Sequence, residues 1–337
     1  MYVSILSRQG RAAAQAHFTP ASPAERPIPG MWFAIVIGLS LFGLALMMAY
    51  AEVIFDFGEP ANLPFVAGIA ALAAARWHFR RPVSERARVA RDMSEYFTCF
   101  MGISLIGATA SYPVSAFTHG FADAQLQRAD LALHFDWLAW YGFVAAHPLV
   151  QAVSRAAYAT IYLSPAILLG YLAWAGRARE ARDFLAAVWL AAAITLAAFR
   201  FMPAVGPFAY LWHGPIPYLP VSDLWQPQLI PQLRQHTAPP LDFGHLVGLV
   251  SAPSFHAAAA VLLIAFSLSL PTRLRGLLIA LNVAMLLSTP VEGTHYLTDM
   301  ILGAFVALGA IGLIRAVRSR FARAPAFGIA TLIGVRA

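Results

Sequence analysis

The chain has 337 residues, 60% of them hydrophobic and only 12% charged, with a mean hydropathy of +0.66. A soluble domain carries about a quarter charged residues, so this chain has too little polar material to face water all round, and its solvent must be largely lipid. The net charge of +7 comes from arginine alone, since no lysine occurs. The arginines cluster between apolar runs, the pattern of cytoplasmic loops in membrane proteins rather than of a nucleic-acid surface. One cysteine, Cys99, lies inside an apolar run, which excludes an internal disulfide and a Cys-rich zinc site.

In chain order, residues 1–30 are polar and read as a cytoplasmic tail. Residues 31–51 carry no charge until the run ends. Ala49-Tyr50-Ala51 resembles a signal-peptidase site, but the apolar run and its polar lead are both too long for a signal peptide, so a retained first span is expected. Further apolar stretches lie near 61–76, 96–116, 154–175, 184–201, 254–271, 276–290 and 298–314. The expected fold is therefore all-α, a polytopic transmembrane bundle of about eight spans. Arg-rich loops (Arg76 to Arg91, Arg177 to Arg182, Arg273 and Arg275, Arg315 to Arg323) alternate with Arg-poor ones such as 52–60, which holds Glu52, Asp56 and Glu59. Arginine excess marks the cytoplasmic side, so both termini are expected inside. The expected organisation is N-terminal spans over 31–116, an extracytoplasmic segment over 117–153, a catalytic transmembrane domain over 154–320 and a second tail over 321–337.

Two extracytoplasmic segments are long. Residues 117–153 contain the aromatic stretch Asp130 to Tyr141, which suits either a helix in the membrane interface or a packed loop. Residues 202–250 hold nine prolines and several aromatics. A loop this long and this apolar reads as a cap over a site.

Ala252-Pro253-Ser254-Phe255-His256-Ala257 and Gly293-Thr294-His295-Tyr296-Leu297-Thr298-Asp299 carry the chemistry. Both sit where an extracytoplasmic loop enters a span. His295 and Asp299 are four apart, which on a helix places them on one face. A carboxylate beside an imidazole holds one ring nitrogen protonated and frees the other as a base or nucleophile. With His256 at the same level, two imidazoles and one carboxylate suit phosphoryl transfer without a metal or other cofactor. A metal site built from the same three residues is a rival, with His119, His134, His147, His213, His236 and His245 as further ligands from loops near that face. No His-Glu-x-x-His signature supports it.

The Pro-Ser-x-His stretch at 253–256, followed by His-x-x-x-Asp at 295–299, resembles the type 2 phosphatidate phosphatase superfamily over about 184–314. The resemblance implies that His295 is the nucleophile, His256 the general acid and Asp299 the orienting carboxylate. It also implies an integral membrane enzyme acting on a phospholipid or lipid phosphate. Three departures stand out. Phe255 replaces the glycine usual before the first His. Ser288-Thr289 stands where Ser-Arg is usual, and no lysine can open a first motif. The altered set, with His295-Tyr296 and Gly206-Pro207, is more similar to the inositol phosphorylceramide synthase branch and favours phosphotransfer over hydrolysis.

Phosphate still needs positive charge. Arg234, in the cap, and Arg200, ending the fifth apolar stretch, are the candidates, because a guanidinium fork binds two phosphate oxygens. Ser254 reads as a phosphate hydrogen bonder, as a helix N-cap, or as both. Tyr296 is a pocket candidate, while Glu292 receives no role. A transporter and a non-catalytic scaffold are the alternatives. Span-centre charges are scarce, which counts against transport, and the missing arginine leaves the scaffold open. The sequence does not set the oligomeric state.

Overall fold

A computed structural model describes residues 27–222 and 224–323. Residues 1–26 and 324–337, most of the two expected tails, lie outside it. Pro27–Ile314 forms one compact unit, and the site lies within it. Among the described residues the regular elements are all helical, and the only strand-like pairing is an isolated bridge between Phe55 and Leu241.

The helices are α1 (Gly30–Tyr50), α2 (Leu63–His78), α3 (Glu85–Ala116), α4 (Asp123–Ala132), α5 (Trp137–Ala146), α6 (Pro148–Tyr158), α7 (Thr160–Trp174), α8 (Ala178–Phe199), α9 (Pro207–Leu211), α10 (Trp225–Arg234), α11 (Phe255–Ser267), α12 (Thr272–Glu292) and α13 (Leu297–Arg323). Side-chain caps fix several starts: the Ser84 hydroxyl accepts from Ala87 N–H, Asp136 from Ala139 N–H and Ser254 from Ala257 N–H.

Five helices (α1, α3, α8, α12, α13) are long and apolar enough to cross a membrane, and six spans result if the pair α6–α7, bent by 41°, counts as one. Every one of the eight expected stretches is helical. Two are short: α2 has 16 residues and α11 has 13, against about 20 for a full crossing.

The buried core lies between α3, α7, α8, α11 and α13, with Leu168, Leu172, Phe184, Leu185, Leu262 and Ala307 at its centre. One end of the bundle is tied by arginine. Arg76 and Arg182 both reach Glu95, Arg88 donates to the Ala173 and Trp174 carbonyls, and Arg177 donates to the Ser269 carbonyl. Residues from three of the expected loops thus meet at one end. Since Ser269 follows the C-terminus of α11 and His256 opens it, the two motifs lie at the other end.

The 117–153 segment holds two short helices, α4 and α5, and the start of α6. Trp137 and Tyr141 are fully buried, stacked at 5.2 Å and covered by Phe208.

Candidate active site

His256, His295 and Asp299 come together. His295 Nδ1 lies 3.1 Å from Asp299 Oδ1, close in distance but off the N–H axis. The His256 and His295 rings are 6.2 Å apart, centroid to centroid. Both His295 and Asp299 are buried, whereas His256 is half-buried. A Tyr158 ring from α6 stacks on His256 at 4.4 Å, with its hydroxyl 3.4 Å from Nδ1.

Two backbone approaches join the motifs. Ser254 N–H donates to the Asp299 carbonyl at 3.0 Å, linking the start of α11 to the first turn of α13. One turn further, a Cβ at Gly303 would lie 2.2 Å from the Ser254 carbonyl oxygen. Only glycine lets the two helices cross this closely. Ser254 is the N-cap of α11 and is fully buried.

The turn between α12 and α13 is held from outside. His295 N–H donates to the Pro290 carbonyl, which also accepts the Trp137 indole N–H at 2.7 Å. A Cβ at Gly293 would lie 2.6 Å from His295 Cδ2 and 3.1 Å from the Tyr158 ring, so the turn has no room for a side chain. Two carboxylates of α4, Asp123 and Asp130, grip the same turn; their seven-residue spacing puts them two turns apart on one face. Asp130 accepts from Leu297 N–H (2.8 Å), Thr298 N–H (2.7 Å) and the Thr298 hydroxyl (2.6 Å), capping α13. Asp123 accepts from Val205 N–H, Gly206 N–H and the Tyr296 hydroxyl, each at 3.0 Å. Burial pushes the Asp123 carboxyl above its ordinary value, and these hydrogen bonds oppose the shift. Inside the turn, Tyr296 N–H donates to Asp299 Oδ2 at 3.0 Å. Tyr296 is fully buried with its hydroxyl on Asp123, a brace for the turn more than a wall of a pocket.

The 202–250 segment is tied to several different elements. Glu292, fully buried at the end of α12, accepts the Tyr218 hydroxyl at 2.7 Å and Val221 N–H at 3.3 Å, and its carbonyl accepts Ser222 N–H at 2.8 Å. Arg155 donates to the Tyr218 hydroxyl and the Leu219 carbonyl, both at 2.8 Å. Arg234 donates to the Thr118 hydroxyl and the Gly120 carbonyl and lies 4.5 Å over the Phe121 ring. The Arg200 guanidinium lies 5.9 Å from the Phe201 ring, and among the described residues it has no hydrogen bond or ion pair. Neither arginine bonds to the histidines. Ser288 and Thr289, which stand where the family has Ser-Arg, turn their hydroxyls back to the Met285 carbonyl.

Among the described residues no group of three or more His, Cys, Asp or Glu side chains is placed to hold a metal ion, and the loop histidines do not converge on His256 and His295. The sequence reading missed Asp123, Asp130, Tyr158, Arg155, Tyr218 and Glu292. None of the six carries a local sequence signal, because each acts through a partner at least 63 residues away along the chain.

An all-helical bundle of apolar spans with this arrangement fits the PAP2 superfamily, whose members are typically phosphatases or phosphotransferases. The PAP2 superfamily model matches residues 124–313, more than half of the chain, and the protein belongs to that superfamily. The match opens within α4, which brings the bracing helix into the family region. No curated protein and no solved structure matches the chain.

Proposed function

We propose that the protein is an integral membrane phosphotransferase or phosphatase that acts on a phospholipid or lipid phosphate through a phosphohistidine at His295. The observation that carries this reading is the His295–Asp299 contact with the His256 ring beside it. Asp299 at Nδ1 leaves Nε2 of His295 to attack phosphorus. The bond from phosphorus to the leaving alkoxide breaks as His256 delivers a proton to that oxygen. Water or an alcohol then attacks phosphorus as the phosphorus–nitrogen bond breaks, His256 takes the incoming proton, and His295 is released. No metal or other cofactor enters the scheme.

Eight spans, with both termini in the cytoplasm and the site on the extracytoplasmic face, fit the gathering of arginines at the opposite end of the bundle. The two helices too short by length, α2 and α11, would complete the count as tilted or locally thinned crossings. A phosphotransferase similar to the inositol phosphorylceramide synthase branch is favoured over a phosphatase by the Ser288-Thr289 and Phe255 departures. For phosphate binding, Ser254 offers a hydroxyl. Arg234 already directs its donors to Thr118 and Gly120, which favours Arg200 as the cation that meets the phosphate.

The test is to incubate purified protein with radiolabelled phosphatidate, and with phosphatidylinositol plus ceramide or diacylglycerol, and to follow acid-labile label on the protein. Wild type is expected to carry label at His295, His295→Ala to carry none, and His256→Ala to acquire it slowly. Undiminished turnover in both variants would sink the mechanism. Flux across liposomes without turnover would favour transport, and chelator-sensitive turnover would restore the metal reading.

A further inference from the structure

Neither α1 nor the half of α3 nearer the site contributes a side chain to the histidine–aspartate cluster. Together with α8 they enclose an open apolar groove of about 220 Å³. Gly43 and Leu44 line it from α1, Gly107 and Ala110 from α3, Ala192 and Leu196 from α8. At its foot the Trp189 indole N–H donates to Ser40 Oγ at 3.1 Å, and Ser40 donates to the Val36 carbonyl at 2.8 Å, so the polar atoms there are satisfied within the protein.

The groove lies in the half of the bundle nearest the site. Tyr50 and Phe117, which end α1 and follow α3, touch at 5.5 Å, and Tyr112 of α3 accepts a hydrogen bond from Val247 of the cap. From Trp189 to Leu196 the helix rises roughly 10 Å, at about 1.5 Å per residue. That depth fits within one leaflet of a hydrocarbon core about 30 Å thick. One turn above Leu196, on the same helix face, stands Arg200 with its donors open. Four residues beyond Arg200, Ala204 packs with Tyr296 beside the catalytic turn. An apolar trough of leaflet depth, capped by an uncommitted guanidinium, matches a lipid with its chain down and an anionic phosphate at the top.

We infer that this groove holds one acyl chain of a phosphate-bearing lipid whose phosphate sits on Arg200. That the bound lipid is the substrate rests on the phosphoryl-transfer reading; that the groove binds it does not.

The full chain in phosphatidylcholine nanodiscs is exposed to phosphatidate carrying a diazirine midway along one chain. Label is expected on Leu44, Ala110 and Leu196, and unlabelled phosphatidate should compete it away. Ala192→Leu and Gly107→Leu, each checked for folding by gel filtration, are expected to cut labelling about tenfold by filling the groove. Phe42→Ala, on the lipid-facing side of α1, should label like wild type. Arg200→Gln should bring phosphatidate labelling down to that of a matching diacylglycerol probe. Label spread evenly over the outward faces of all helices and indifferent to Ala192→Leu overturns the groove. Diacylglycerol labelling wild type as strongly as phosphatidate overturns the role of Arg200. In a kinetic arm, the preference for long-chain over dihexanoyl phosphatidate should fall about tenfold in Ala192→Leu. If wild type turns over neither lipid, the phosphoryl-transfer reading fails while the labelling still decides the groove.

Discussion

The catalytic turn and the cap are neighbours held in different ways. In the turn from Pro290 to Asp299, the backbone N–H groups of Gly293 through Thr298 all have acceptors, most of them buried. Three of these N–H groups donate to carboxylates, those of Leu297 and Thr298 to Asp130 reaching in from α4 and that of Tyr296 to Asp299 from within, while Asp123 of α4 accepts the Tyr296 hydroxyl. The segment over 202–250 is instead tied point by point to many separate elements: Val205 and Gly206 to Asp123, Tyr218 to Tyr141, Arg155 and Glu292, Arg234 to Thr118, Leu241 to Ile54 and Asp56, and Val247 to Tyr112. A nucleophile must be fixed to a fraction of an ångström to attack phosphorus in line, whereas a cap needs only to cover the site. The comparison teaches that the turn carrying His295 takes much of its order from α4, a helix outside the histidine pair.

The largest effect that would test this contrast is at Asp299. Asp299→Asn keeps the shape of the turn but removes the charge beside His295 Nδ1, and turnover is expected to fall roughly 10³- to 10⁴-fold with little change in KM. Steady-state kinetics on a labelled lipid phosphate measures it. A loss below tenfold would mean that the buried carboxylate serves folding alone.

Asp130 comes next. Asp130→Ala leaves Leu297 N–H and Thr298 N–H without acceptors at the start of α13, and a destabilisation of about 3 kcal/mol is expected from a lost cap and two charged hydrogen bonds. Because His295 sits two residues before that cap, turnover should drop as well, on the order of 10²-fold. Asp130→Asn, which keeps one acceptor oxygen, should recover part of both. Equal turnover in the two variants would break the link between α4 and the catalytic geometry.

How much of this was legible beforehand differs between the same two regions. The proximity of His295 to Asp299 and the N-cap at Ser254 were readable because each pairing falls within one helical turn. Helix existence was readable too, since periodic apolar runs do not depend on distant partners. The number of full crossings was less so: α2 and α11 are apolar but end at 16 and 13 residues. The brace was not readable, because Asp123 meets Tyr296 across 173 positions and Asp130 meets Thr298 across 168. Glu292 had seemed idle for the same reason, its partner Tyr218 lying 74 residues away. Arg234 shows the converse: its place in the cap pointed to phosphate, while its bonds run to Thr118 and Gly120.

Arg234→Gln sharpens that point. With its guanidinium committed to the cap, the variant should lose about 1–2 kcal/mol of stability and change kcat/KM by less than about tenfold, one such factor being about 1.4 kcal/mol. Arg200→Gln should do the reverse, with stability kept and kcat/KM down on the order of 10²-fold. If the two swap, Arg234 is the phosphate ligand and the cap belongs to the catalytic machinery.

The smallest effect lies in the latch at Tyr218. Burial pushes its hydroxyl from 10.0 up to about 12, with the Arg155 hydrogen bond opposing and Glu292 reinforcing the shift. A group whose value is raised on folding contributes fully below its unfolded value and loses that contribution as the pH climbs through its folded value. The latch should therefore hold below about pH 10 and weaken between 10 and about 12, because the phenolate cannot donate to Glu292. Hydrogen exchange of Tyr218 to Ser222 should accelerate across that window in wild type. Tyr218→Phe, which removes the donor and costs about 1 kcal/mol, should exchange faster at neutral pH and lose the alkaline step. An alkaline step retained in Tyr218→Phe would place the titrating group elsewhere.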